Sequence, residues 1–117
     1  MKIGCHCGAT LFDQTDGLAN KGHLIPDQNW FATSDALDDE VIGPLARRTL
    51  SEDGACHRSR EILGRAVRQL WQCSTCGRLY VDGLDGTLHC FVPAEDRTDR
   101  RILRGCPEVP GDGRSTS

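Results

Sequence analysis

Cys73-Ser-Thr-Cys76-Gly77 and Cys5-His6-Cys7-Gly8 are the two stretches of this chain whose residue types and spacing support chemistry. Two thiolates set two residues apart can converge on one tetrahedral ion at about 2.3 Å per zinc–sulfur bond. A glycine directly after the second cysteine permits a left-handed backbone, which lets amide N–H groups turn toward the sulfurs. Together Cys5, Cys7, Cys73 and Cys76 supply four thiolates, a complete shell for one structural Zn2+ with no open position. His6 and Cys90 compete for a ligand place in the first knuckle. His89 and Cys90 alternate along one strand, so that one of them faces inward and could add a ligand.

The remaining thiols carry less. Seven cysteines are an odd number, so complete intramolecular pairing is excluded, and short paired spacings in a reducing setting mark metal more often than disulfide. Cys56 is expected in a helix core, Cys106 as an exposed thiol, and His23 and His57 as ordinary surface or packing residues. A redox dithiol of the Cys-x-x-Cys type belongs at the start of a helix, where the dipole lowers the first thiol's pKa. Here Gly77-Arg78-Leu79-Tyr80-Val81-Asp82-Gly83 continues as strand and turn. No HExxH, GxSxG, GxGxxG or phosphate-cradling loop is present, and an all-cysteine shell makes zinc a poor Lewis acid. No catalytic constellation is found, and the expectation is a protein that is not an enzyme.

The paired knuckles resemble a zinc ribbon, in which two β-hairpins clamp one zinc ion. The resemblance covers residues 3–12 and 70–92. This chain departs from the ribbon pattern in having one residue between Cys5 and Cys7, and 65 residues between Cys7 and Cys73. The stretches HLIPDQNWF and LWQCSTCGRLYVDG are also similar to small bacterial proteins that combine a ribbon with helices, a resemblance that implies no activity.

Charge narrows the partners. Fourteen basic against seventeen acidic side chains give a net charge of −3 over 117 residues. Residues 1–60 hold six basic and nine acidic groups, and residues 61–117 hold eight of each. Neither half has the basic excess that phosphate neutralisation demands, so nucleic acid is disfavoured, with Arg97, Arg100, Arg101 and Arg104 as the local exception. A protein partner is expected instead, in a regulatory or immunity-type role, with the acidic run Asp35 to Glu40 available to steer a basic surface. No stretch approaches the ~18 apolar residues of a membrane span, and the first residues lack the apolar core of a secretory leader, so a cytoplasmic setting is expected.

The elements that must position the knuckles follow from periodicity. Strand, turn and strand are expected over residues 1–12, a further strand over 21–25, and three strands over 70–73, 78–81 and 87–92, joined by the turns 74–77 and 82–86. Between them a helix capped by Asp27 or Asn29 should carry Leu37, Val41 and Leu45 as one stripe and end at Gly43-Pro44. A second helix capped by Ser51 should bury Cys56, Ser59, Leu63 and Val67. Trp30, Phe31 and Trp71 are expected in the core. The predicted fold class is thus α+β: a zinc ribbon over residues 1–93 with a helical hairpin inserted at about 29–67, followed by a flexible tail from 94 to 117.

Overall fold

Alternation with period two sets the first hairpin. β1 (Lys2–Gly4) and β2 (Thr10–Phe12) pair antiparallel with Ile3 opposite Leu11. These two are the strands' buried positions, and their neighbours face solvent. The computed structural model describes residues 1–107. The chain divides into two units, one formed by Met1–His23 with the chain from Gln69 onward, the other by Leu24–Arg68. The architecture is mixed α+β, with a two-stranded and a four-stranded antiparallel sheet.

The larger sheet has the order β3 (Lys21–Leu24), β4 (Arg68–Gln72), β5 (Leu79–Asp82), β6 (Leu88–Phe91). Trp71 stands opposite Tyr80, and Tyr80 opposite Cys90. At the turn between β5 and β6, Asp85 Oδ1 accepts the Thr87 amide at 3.1 Å and its hydroxyl at 2.8 Å. Ile3, Cys5, Leu11, Trp71, Cys73 and Tyr80 form one buried cluster, with Ala9, Cys76 and Cys90 packed against it. Trp71 brings its indole N–H to Asp13 Oδ2 at 3.0 Å, and Lys21 bonds the same oxygen at 2.7 Å. The indole donor of a buried Trp is thereby satisfied.

In the helical unit α1 spans Asp27–Leu37, a π-helical segment Asp38–Ile42, α2 Gly43–Ala46 and α3 Glu52–Ala66. Pro26, rather than Asp27 or Asn29, occupies the N-cap of α1, with φ −60°. Gly43-Pro44 does not stop the helix. The Gly43 amide reaches back five residues to the Asp38 carbonyl, and this wider turn absorbs a proline whose ring would clash in a regular α-helix. The extra residue in the turn also rotates the stripe. Val41 is buried, whereas Leu45 is exposed.

Ser51 caps α3 as expected, its hydroxyl accepting the Gly54 amide at 3.0 Å. The buried positions of α3 are Ala55 and Ile62, one residue out of phase with the expected stripe, so Cys56 and Leu63 are exposed. Val41, Ala55 and Ile62 make the unit's core, with Ala36, Leu37 and Leu50 beside them. Trp30 and Phe31 do not join a core. They are 54% and 73% exposed on α1, while Trp71 is 2% exposed in the other unit.

Past β6 the chain folds back on the second knuckle. Gln72, 1% exposed, donates to the Asp99 carbonyl at 2.9 Å and the Gly77 carbonyl at 3.3 Å, and accepts the Ile102 amide at 2.9 Å. Arg100 donates to the Thr75 carbonyl at 2.8 Å. These bonds tie residues 99–102, which composition assigns to the flexible tail, to the strand before the knuckle. Residues 108–117 of that expected tail lie outside the described residues.

Candidate metal centre

Each knuckle is a turn closed by its own backbone. In the first, the Cys5 amide donates to the Ala9 carbonyl at 2.8 Å and the Gly8 amide to the Cys5 carbonyl at 3.0 Å. In the second, the Cys73 amide donates to the Arg78 carbonyl at 2.9 Å and the Gly77 amide to the Cys73 carbonyl at 2.7 Å. Gly8 and Gly77 have φ of 97° and 85°, the left-handed region that side chains with a Cβ avoid. At Gly77 a Cβ would also stand 3.0 Å from Pro93 Cγ.

The two turns bring Cys5, Cys7, Cys73 and Cys76 together, with all four sulfurs within 4.8 Å of one another. Cys5 Sγ lies 3.5 Å from Cys76 Sγ, and Cys7 Sγ 3.7 Å from Cys73 Sγ. A tetrahedral shell with metal–sulfur bonds of about 2.3 Å places its sulfurs about 3.8 Å apart. A disulfide requires about 2.05 Å. The arrangement therefore fits a metal ion, and the four cysteines are free thiols. Soft thiolate donors select zinc, copper(I) or iron over the hard cations.

Electrostatics favours a cation at the centre. Burial pushes the Cys5 thiol up, but the Cys7 amide, the Tyr80 hydroxyl and the Cys76 and Cys7 side chains bond its sulfur and bring it down to about 6. Cys7 goes the other way. Its Ala9 amide contact favours the thiolate, yet desolvation and the neighbouring sulfurs of Cys5, Cys73 and Cys76 hold its proton up to about 11. Four thiols in this space cannot all ionise without a positive charge among them, because each new thiolate faces the others. Cys76 is opposed by burial, and the Arg78 amide and guanidinium overcome this and lower it.

The other candidate ligands lie outside the cluster. The His6 ring stacks on Tyr80 with centroids 6.3 Å apart, and its amide donates to the Tyr80 hydroxyl at 3.0 Å. His89 Nε2 is 3.2 Å from the Thr87 hydroxyl and 3.7 Å from Asp85. Cys90 is partly buried against the core, and Cys56 and Cys106 are exposed. Tyr80 and Arg78 support the site without any local motif. The one usable signal is that Arg78 stands two positions after Cys76, where the turn leads into β5.

The chain belongs to the family Domain of unknown function (DUF8617), whose model matches residues 1–96 and so spans both knuckles. Comparison with curated proteins and with solved structures gives no match. Among the described residues, no helix is long and apolar enough to cross a membrane.

Proposed function

We propose that Cys5, Cys7, Cys73 and Cys76 hold one structural Zn2+ and that the protein acts as a small binding module for another protein, in a regulatory or immunity-type role. The observation that carries the metal reading is the convergence of four sulfurs, from knuckles 65 residues apart in sequence, to within 4.8 Å. An all-thiolate shell of four donors is the donor set of closed structural zinc sites. When bound, zinc contributes folding free energy and joins the two hairpins. The chain's own residues orient and neutralise the donors: Tyr80 bonds the Cys5 sulfur and Arg78 the Cys76 sulfur. A filled shell leaves no place for a substrate, which supports a role other than catalysis.

The binding half of the reading is supported by the helical unit. Trp30 and Phe31 stand exposed and adjacent on α1, and Asp35, Asp38 and Asp39 follow, also exposed. Exposed aromatics are the common anchors of protein interfaces, and nearby carboxylates steer a basic partner. The nucleic-acid alternative loses support because Arg97, Arg104 and Arg100 are engaged by Glu95, Asp99 and the Thr75 carbonyl.

Metal analysis of protein purified without added metal should give one zinc per chain, and well under one would reject the zinc reading. Capture experiments comparing the wild type with Trp30→Ser/Phe31→Ser should recover a stoichiometric protein only with the former. A salt-sensitive DNA or RNA complex without a protein partner would instead favour the alternative.

A further inference from the structure

A cavity of about 170 Å³ opens beside the sulfur cluster, and Cys76, Arg78, Glu95, Asp96, Thr98 and Arg100 line it. Cys76 is the one cluster residue on its wall. Two guanidinium and two carboxylate groups balance in charge, so the lining suits a small neutral polar molecule better than an ion. Arg78 bonds Cys76 through both amide and guanidinium, and Cys5 Sγ lies 3.5 Å from Cys76 Sγ.

We propose that Cys76 is a site of oxidation by a small hydroperoxide that enters this cavity, with Cys5 as the resolving thiolate. The proposal rests on the reading of the cluster as a thiolate metal centre. The Cys76 sulfur attacks one peroxide oxygen: an S–O bond forms, the O–O bond breaks, and the departing hydroxide takes a proton from the acid form of the solvent buffer. The Arg78 guanidinium is the donor that faces the charge developing on that oxygen. The Cys5 sulfur then attacks the Cys76 sulfur, the S–O bond breaks, and a second hydroxide leaves and is protonated. Two electrons pass from two sulfurs to one hydrogen peroxide, giving a Cys5–Cys76 disulfide and two waters. Cys7 is exposed, but its sulfur contacts are the Ala9 amide and the three other cysteines, with no cationic side chain among them.

The disulfide withdraws two of four donors from the site. It also joins the same two hairpins that the four sulfurs bring together, because Cys5 and Cys76 belong to different knuckles. Oxidation thus empties the centre while preserving a link across it.

The test uses zinc-loaded, full-length protein titrated with hydrogen peroxide beside a chromogenic chelator. Free thiols are alkylated at intervals and disulfides mapped by peptide mass spectrometry. Cys5–Cys76 should be the first disulfide, forming in step with zinc release and reversing on reduction. Thr98→Trp, which fills the cavity from an exposed position, should slow that step severalfold at unchanged zinc content. A different first disulfide, a dominant Cys7 sulfenic acid, or a rate unmoved by Thr98→Trp overturns the proposal. Zinc that stays bound through oxidation overturns it too and leaves the zinc reading intact. If the protein purifies without zinc, that reading falls, and the first-formed disulfide decides the oxidation proposal by itself.

Discussion

The Tyr80 hydroxyl accepts the His6 amide at 3.0 Å and bonds the Cys5 sulfur, so one side chain on β5 fixes the knuckle of the opposite hairpin. Burial first, and then the Cys5 sulfur, hold the Tyr80 proton well above the usual phenol range. Tyr80 is therefore a neutral donor to the thiolate at every physiological pH. Tyr80→Phe should cost about 1–3 kcal/mol, because the His6 amide loses its partner as well. Urea unfolding of the metal-loaded protein measures that loss. Zinc transfer to a chelator should also accelerate, whereas unchanged transfer would separate Tyr80 from the metal centre.

Removal of metal should unfold the first unit. Structural zinc contributes about 10–16 kcal/mol of apparent binding free energy, as large as the ~5–15 kcal/mol stability of a whole domain. The donors bind as thiolates, so protons compete with the metal, and affinity must fall as pH falls. Circular dichroism during chelation, repeated at successively lower pH, should show loss of sheet signal at progressively lower chelator concentration. Cys73→Ser with Cys76→Ser should resemble the chelated state, and an intact fold in that variant would contradict a structural role.

Gly77→Ala places a side chain at φ 85°, with its Cβ 3.0 Å from Pro93. The left-handed backbone alone costs roughly 1–2 kcal/mol for a residue with a Cβ. Gly64, in α3, has open space where a Cβ would stand. Gly64→Ala should stabilise by about 0.5–1 kcal/mol through helix propensity. Paired thermal denaturation of the two variants separates a strained glycine from a permissive one.

Asp13 is held below the usual carboxylate range by hydrogen bonds from Lys21 and then from Trp71. A depressed folded value means that Asp13 stabilises the protein above the ordinary carboxylate pKa of about 3.9. That contribution is lost as pH falls through the lower folded value. The stability gap between the wild type and Asp13→Asn should therefore be full near neutrality and shrink in acid below about pH 4. Lys21→Met should raise the Asp13 carboxyl toward its ordinary value in an NMR titration.

The knuckles are legible in the sequence because their signals are local: cysteine spacing, a following glycine and flanking alternation all lie within a few residues. The α+β class follows from the same change of period. The helical unit is read less well. Ala55-Ser59-Ile62-Ala66 and Cys56-Ser59-Leu63-Val67 are similarly apolar stripes on α3, so periodicity alone does not choose the phase that the structure adopts. Pro44 signals a break, and only the wider turn from Asp38 to Gly43 shows how the helix passes it. Adjacent aromatics at Trp30 and Phe31 suggest a core, yet consecutive helix positions point about 100° apart and cannot both face one narrow apolar stripe. The roles of Gln72 and Tyr80 leave no trace in the sequence, because Asp99 and Ile102 lie 27 and 30 positions from Gln72 and His6 lies 74 from Tyr80.

Gln72 has a practical consequence for expression design. Its buried amide is completed by the backbone at Asp99 and Ile102, both beyond residue 96, where the family match ends. A fragment trimmed to the matched region would leave that amide without two of its three protein partners. A fragment meant to keep the buried Gln72 amide fully bonded must therefore extend through Ile102.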